Sequence, residues 1–91
     1  MTQERRIVHY SGIVQGVGFR WNAARALQGR PVTGYVRNLR DGRVQLLLEG
    51  EAGTLDDALQ AVRDRLQEFI QREEAEVSPP TGEFNDFAIR R

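Results

Sequence analysis

Apolar residues recur along this chain in two rhythms, and the changes between them divide it into elements. From Ile7 to Val14 the residues are rich in β-branched and aromatic types, and alternation puts Val8, Tyr10, Gly12 and Val14 on one face, which predicts a first strand. The period changes at "FRWNAARAL", where Phe19, Ala23, Ala24 and Leu27 recur at helical spacing before "QGRP" at Gln28–Pro31 supplies a stop. Val32–Asn38 reads as a second strand and Val44–Glu49 as a third, joined by the Asp-Gly turn of "RDGR" and so paired antiparallel. Thr54 then stands as a helix N-cap, with Asp56 and Asp57 near the positive end of the helix dipole. Leu55, Ala58, Leu59, Val62, Leu66, Phe69 and Ile70 form one apolar stripe behind it. "QREEAEVS" carries only Ala75 and Val77 as apolar residues and is read as a fourth, edge strand ending near Ser78, with its start left open. "PPTG" at Pro79–Gly82 separates it from a last short strand in "FNDFAIR", and no internal repeat or low-complexity linker interrupts the chain.

The order β-α-β-β-α-β plus a terminal strand predicts the α+β class: a ferredoxin-like split βαβ sandwich, with a mostly antiparallel sheet and two helices on one face. At 91 residues this is one domain spanning 1–91, of a size that buries about 60 to 70% of its unfolded surface. A helical crossover makes strands one and two parallel, and the third runs between them in the opposite direction. The C-terminal ends of strands one and two therefore share one edge of the sheet. Those ends are the loop "VQGVGFR", Val14–Arg20, and Asn38, separated by two strand spacings, roughly 10 Å. A tetrahedral anion and a water fit between them.

Composition narrows the chemistry. Thirteen basic and thirteen acidic residues cancel and the pI is near 6.6, so no whole-molecule field draws the protein to nucleic acid or a membrane, and any anion site must be local. All thirteen basic residues are Arg, which removes Schiff-base chemistry and a P-loop lysine. Cysteine is absent, which removes thiol nucleophiles, thiolate metal sites and disulfides. "MTQERR" lacks the apolar centre of a signal peptide, and no apolar run exceeds the three residues of Leu46–Leu48. A cytoplasmic protein is expected.

Glycines at 16 and 18 let the backbone of that loop turn with positive φ, so that successive N–H groups converge into an anion nest opening on a helix N-terminus. Arg20 adds a guanidinium fork that matches two phosphate oxygens. The residues alone leave two readings open, a phosphate nest and a plain strand-to-helix turn with a surface Arg. Other candidates are weaker. His9 and Ser11 share a strand face at about 7 Å, beyond hydrogen-bond reach, and no carboxylate is evidently placed to orient the ring. Asp56, Asp57, Glu73, Glu74 and Glu76 read as helix-terminal and solvated edge charges rather than a metal cage. Trp21 and Tyr35 flank the loop in sequence and could stack on a bound group, but are expected as core or rim aromatics; Arg37 and Arg43 could steer anions, but are expected as solvated strand residues.

"GIVQGVGFR" at Gly12–Arg20, "TGYVRNLRDGRVQ" at Thr33–Gln45 and "PPTGEFNDFAIR" near the end together resemble the acylphosphatase family over almost the full chain. The resemblance implies a small, metal-independent hydrolase that cleaves the carboxyl–phosphate bond of acyl phosphates. It further implies that the loop amides of Gln15, Gly16, Val17, Gly18 and Phe19, with Arg20, hold the phosphate, and that Asn38 orients the attacking water. Three features depart from the family pattern: Tyr35 where Trp is frequent, Arg40 where Pro is frequent, and the weak apolar alternation of "QREEAEVS". The last leaves open where the second helix ends.

Such an enzyme would work by positioning and electrostatics, since a carboxylate leaving group departs without a general acid. No cofactor or metal is expected. The partner would be a small-molecule acyl phosphate, with no nucleic acid, no membrane and a monomeric protein. RNA recognition on such a sheet wants exposed aromatics on the third strand, and "RVQLLLE" has none. The alternative is a non-catalytic anion-sensing module of the same fold. Asn38 discriminates between the two, because anion binding alone does not require it.

Overall fold

The computed structural model describes residues 2–91. Five strands form one sheet in the order β4-β1-β3-β2-β5. They are β1 (Gln3–Gly12), β2 (Thr33–Asn38), β3 (Val44–Glu51), β4 (Ile70–Ser78) and β5 (Phe87–Arg90), with α1 (Phe19–Leu27) and α2 (Ala52–Leu66) between them. β1 pairs antiparallel with β3 and β4, β2 pairs antiparallel with β3, and only β5 runs parallel to its neighbour β2. This is the ferredoxin-like α+β arrangement read from the element order, with β3 between β1 and β2.

Both helices cover one face of the sheet. Val8 and Tyr10 of β1, Val36 of β2, and Val44, Leu46 and Leu48 of β3 share one buried cluster with Phe19, Ala23 and Leu27 of α1 and Leu55, Ala58, Leu59, Val62 and Leu66 of α2. The period-2 residues of the strands thus meet the period-3.6 residues of the helices in a single core. Tyr10 lies at the centre with its ring 5.1 Å from that of Phe19. Its buried hydroxyl has no hydrogen-bond partner among the described residues; burial, and then the charge of Glu73, push its ionisation well up, against Arg63.

Several boundaries differ from the sequence expectation, the larger differences for local reasons. β1 begins at Gln3 rather than Ile7, because Arg5 and Arg6 pair in ladder register with β3 and hold their charges to partners at the sheet margin. It ends at Gly12 rather than Val14: the register with β4 slips between Ser11 and Gly12, opposite Gln71. Gly12 has φ 130°, and a Cβ there would lie 2.6 Å from the Phe69 carbonyl oxygen, so only glycine fits the bulge. Val14 is buried all the same, within the loop.

The N-cap of α2 is Glu51 and not Thr54; the carboxylate of Glu51 accepts from the Thr54 N–H at 3.0 Å and its hydroxyl at 3.2 Å. The helix therefore starts at Ala52, its first turn has no acidic residue, and Asp56 instead receives Arg6 at 2.8 Å. At the other end α2 stops at Leu66, a 3-10 turn spans Gln67–Phe69, and Ile70 already belongs to β4. Phe69 and Ile70 still pack against the core, which is why they continue the helical stripe in sequence without being helical.

The last strand is shorter than "FNDFAIR", covering Phe87–Arg90. Its parallel pairing places Gly34 opposite Phe87 and Arg37 opposite Arg90. Gly34 has φ 135°, and a Cβ there would collide with the Leu47 carbonyl. The segment before β5 is anchored by Glu49, which is 5% exposed on β3. Glu49 accepts from Arg5 Nε at 2.7 Å, the Thr81 N–H and hydroxyl both at 3.0 Å, and the Gly82 N–H at 2.9 Å.

Candidate active site

The loop after β1 is shaped by its two glycines. Gly16 and Gly18 both have φ 77°, the left-handed region that side chains avoid. Gly18 is the N-cap of α1 and brings no side-chain cap, and the first turn of the helix holds no acidic residue. The positive end of α1 is therefore left to whatever occupies the space in front of it. Asn22 reinforces the turn: its backbone N–H and its side-chain amide both donate to the Gly18 carbonyl at 2.9 Å, while its Oδ1 accepts from Arg65 Nε at 3.0 Å and ties α1 to α2.

That space is a cavity of about 290 Å³ lined by Gly16, Gly18, Phe19, Arg20 and Asn38, with Val14, Trp21, Ile89 and Arg91 completing its wall. Five of the seven residues singled out from sequence meet here. The other two face elsewhere. Val17 packs its side chain on the core, and Gln15 turns its amide toward the β2–β3 hairpin, donating to the Leu39 carbonyl at 2.7 Å and the Arg43 carbonyl at 2.9 Å. Only the backbone groups of these two are free to contribute to an anion nest.

The Gln15 contact is one that sequence reasoning missed. It links the glycine loop to the residue that follows Asn38, across the two strand spacings that separate the ends of β1 and β2. The hairpin it grips is itself stiff: Leu39 N–H donates to the Arg43 carbonyl at 2.8 Å, Asp41 accepts from the Arg43 N–H and guanidinium, and Gly42 turns with φ 96°. The backbone hydrogen bond from Arg43 holds the Asp41 carboxyl below its ordinary range, aided by the Arg43 guanidinium. Asn38 pairs with Val44 at the last rung before this turn, so both ends of the cavity are fixed to one piece of sheet.

Arg20 comes from the first turn of α1, and its Nη1 donates to the Arg90 carbonyl of β5 at 2.9 Å. One side of the fork is thus docked, and the guanidinium borders the cavity. The Arg90 side chain lies across the other face of the sheet, with its guanidinium carbon 4.2 Å from the Tyr35 ring centroid and 5.8 Å from that of Phe84. Tyr35 is therefore a packing residue remote from the cavity, whereas Trp21 stands at its rim, 56% exposed.

The remaining candidates stay outside. The His9 ring meets the Gln45 amide at 3.0 Å, and Gln45 Oε1 accepts from Tyr35 and from Arg37. Arg43 pairs with Asp41, Arg63 with Glu73, and Arg72 with Glu74. Among the described residues no group of three or more His, Cys, Asp or Glu is disposed to hold a metal ion, and no helix is long and apolar enough to cross a membrane.

Comparison with known proteins identifies the family. The sequence profile of the family described as Acylphosphatase matches residues 6–89. The chain belongs to the acylphosphatase family. An acylphosphatase of Paenarthrobacter aurescens is 39% identical over 92 residues, which span 98% of each chain. One from Alcanivorax borkumensis is 58% identical over 52 residues, covering 57% of this chain and 56% of that relative. The crystal structure of the acylphosphatase from Bacillus subtilis superposes with a TM-score of 0.85 at 30% identity, over 99% of this chain and 100% of that one. The protein is accordingly an acylphosphatase, an enzyme that hydrolyses acyl phosphates.

Proposed function

We propose that the cavity between the Gln15–Arg20 loop and Asn38 is where the acyl phosphate is hydrolysed, by one 91-residue domain acting as a cytoplasmic monomer on a small-molecule substrate, without metal, cofactor or nucleic acid. The observation that carries this reading is the convergence of Gly16, Gly18, Arg20 and Asn38 on one cavity at the uncapped N-terminus of α1. The backbone N–H groups of the loop and the helix dipole receive the phosphoryl oxygens. Arg20, docked on the Arg90 carbonyl, turns its remaining donors to the same oxygens and neutralises their charge.

Asn38 offers a carbonyl that accepts from a water and an amide that donates to the phosphoryl group. The water oxygen bonds to phosphorus while the bond from phosphorus to the carboxyl oxygen breaks. The carboxylate leaves with the bonding pair; of the water's two protons, one stays on the oxygen now bound to phosphorus and the other passes to a phosphoryl oxygen or to solvent. A carboxylate needs no acid to assist its departure, which suits a cavity lined by no acidic residue and no His. The enzyme's contribution is then fixed donors and a placed water.

Asn38→Ala tests the assignment. It is expected to lower turnover of an acyl phosphate by about a hundredfold, the scale of one lost preorganised donor, while inorganic phosphate binds within a few-fold of its original affinity. That pattern marks an interaction made in the transition state. Parallel loss of turnover and phosphate affinity in a folded variant would reduce Asn38 to a ligand-binding or structural residue.

A further inference from the structure

Four large apolar side chains are substantially exposed among the described residues: Ile13, Trp21, Val77 and Ile89. Two of them, Trp21 at 56% and Ile89 at 43% exposure, line the same cavity as Gly16, Gly18, Arg20 and Asn38. They reach it from different elements. Trp21 follows Arg20 directly in the first turn of α1, and Ile89 sits on β5 opposite Val36, two residues before Asn38. An exposed apolar pair beside an anion nest has no role in holding phosphate, because apolar surface offers a phosphoryl oxygen nothing. Its solvent exposure is a standing cost that an apolar ligand would remove.

The space is large enough for such a ligand. At about 290 Å³ the cavity is about ten times the ~30 Å³ share of one water in the liquid, so a phosphoryl group and its attacking water leave most of it unfilled. The indole is also held in place. The Arg25 guanidinium, one helical turn on, stands 5.1 Å from the Trp21 ring centroid, a cation–π contact that leaves less side-chain freedom to lose on binding.

From these observations, and resting on the reading of the cavity proposed above, we infer that Trp21 and Ile89 form the subsite for the acyl group, and that the enzyme prefers acyl phosphates whose acyl group is a bulky apolar one, with a planar aromatic ring filling the subsite better than a methyl group. The carboxyl carbon is one bond beyond the oxygen that leaves phosphorus. With the phosphoryl group in the nest, its substituent reaches toward the remaining wall of the cavity, where these two side chains stand. Trp21 and Ile89 then set specificity, while Arg20 and Asn38 serve any acyl phosphate.

The test compares benzoyl phosphate and acetyl phosphate as substrates of the wild type, Trp21→Ala, Trp21→Phe and Ile89→Ala, with Val77→Ala as a control at an exposed apolar residue outside the cavity. Wild type is expected to favour benzoyl phosphate in kcat/KM. Trp21→Ala is expected to shrink that preference about tenfold, the scale of a modest apolar contact, mainly through KM for the benzoyl substrate. Ile89→Ala should shrink it severalfold, Trp21→Phe should retain most of it, and Val77→Ala all of it. Binding gives a second readout: benzylphosphonate should bind wild type more tightly than methylphosphonate, and Trp21→Ala should erase the difference. If both substrates are hydrolysed but the preference survives Trp21→Ala and Ile89→Ala, or if the two substrates lose equally in those variants, the subsite is refuted and the catalytic reading stands. If the folded wild type hydrolyses neither substrate, the catalytic reading fails and the subsite falls with it.

Discussion

Glu49→Gln probes a site remote from the chemistry whose effect can be worked out from its surroundings. The carboxylate is 5% exposed. Burial alone would raise its pKa, but the Thr81 and Gly82 N–H groups, the Arg5 guanidinium and the Thr81 hydroxyl outweigh that and bring it from 4.5 down to about 2. At about 1.4 kcal/mol per tenfold change in the proton equilibrium, the difference is on the order of 3 kcal/mol in favour of the folded, ionised protein. Because the folded pKa lies below the unfolded one, that contribution is fully present above about pH 4.5 and is lost as the pH falls toward 2. Glutamine keeps the shape and removes the charge. The expected result is a variant less stable than wild type by about 3 kcal/mol at pH 7, with the gap closing as the pH falls from 4.5 toward 2. Urea unfolding of both proteins at a series of pH values measures this. A gap that stays constant across that range, or one well under 1 kcal/mol at pH 7, would refute the reasoning that the ionised carboxylate clasps the 81–82 segment.

Arg20→Lys keeps the charge and loses the fork. Lost charge-assisted hydrogen bonds of about 1.5–3 kcal/mol predict a ten- to hundredfold fall in kcat/KM with weaker phosphate binding, and kinetics like wild type would show that a point charge suffices. Gly12→Ala places a Cβ 2.6 Å from the Phe69 carbonyl oxygen and 2.8 Å from the Gln71 nitrogen at φ 130°. With neither backbone atom able to step aside cheaply, a loss of roughly 2–3 kcal/mol is expected in chemical denaturation, and a loss below 1 kcal/mol would mean that the bulge relaxes. Acyl phosphate hydrolysis should be indifferent to chelator and competitively inhibited by inorganic phosphate; activity that disappears with chelator and returns with a divalent ion would overturn the metal-free mechanism.

The element order was legible because each helix and strand of the core repeats its own period: Leu55, Ala58, Leu59, Val62 and Leu66 cannot be confused with Val8 and Tyr10. The end of α2 was not, because Phe69 and Ile70 are drawn to the same core by a 3-10 turn and a strand, and apolar spacing does not register that change of backbone. Thr54 resembled a cap until Glu51, three residues back, supplied the acceptor. At the candidate site, the residues alone left a phosphate nest and a plain turn with a surface Arg both open; Gly16, Gly18, Arg20 and Asn38 were singled out through the family resemblance, and they line one cavity. The Gln15 amide and the Glu49 clasp were not, since their partners lie 24 to 33 residues away in the chain and no local pattern announces them. Trp21 showed as an aromatic, but only the fold decides between core and rim.

The place of β1 between β4 and β3 also bears on how fast the candidate site comes into being. This strand must find Glu51 through Val44 on one side and Ser78 through Ile70 on the other, pairings that close loops of tens of residues before any apolar burial rewards them. Such non-local closure is expected to make folding slower than in a helical bundle of the same length. The glycine loop hangs from the end of that strand, and its strap to Leu39 and Arg43 forms only once β3 stands between them. On a newly made chain, therefore, catalytic competence arrives together with the completed sheet and not before it, and refolding followed by recovery of activity should run on a single slow clock.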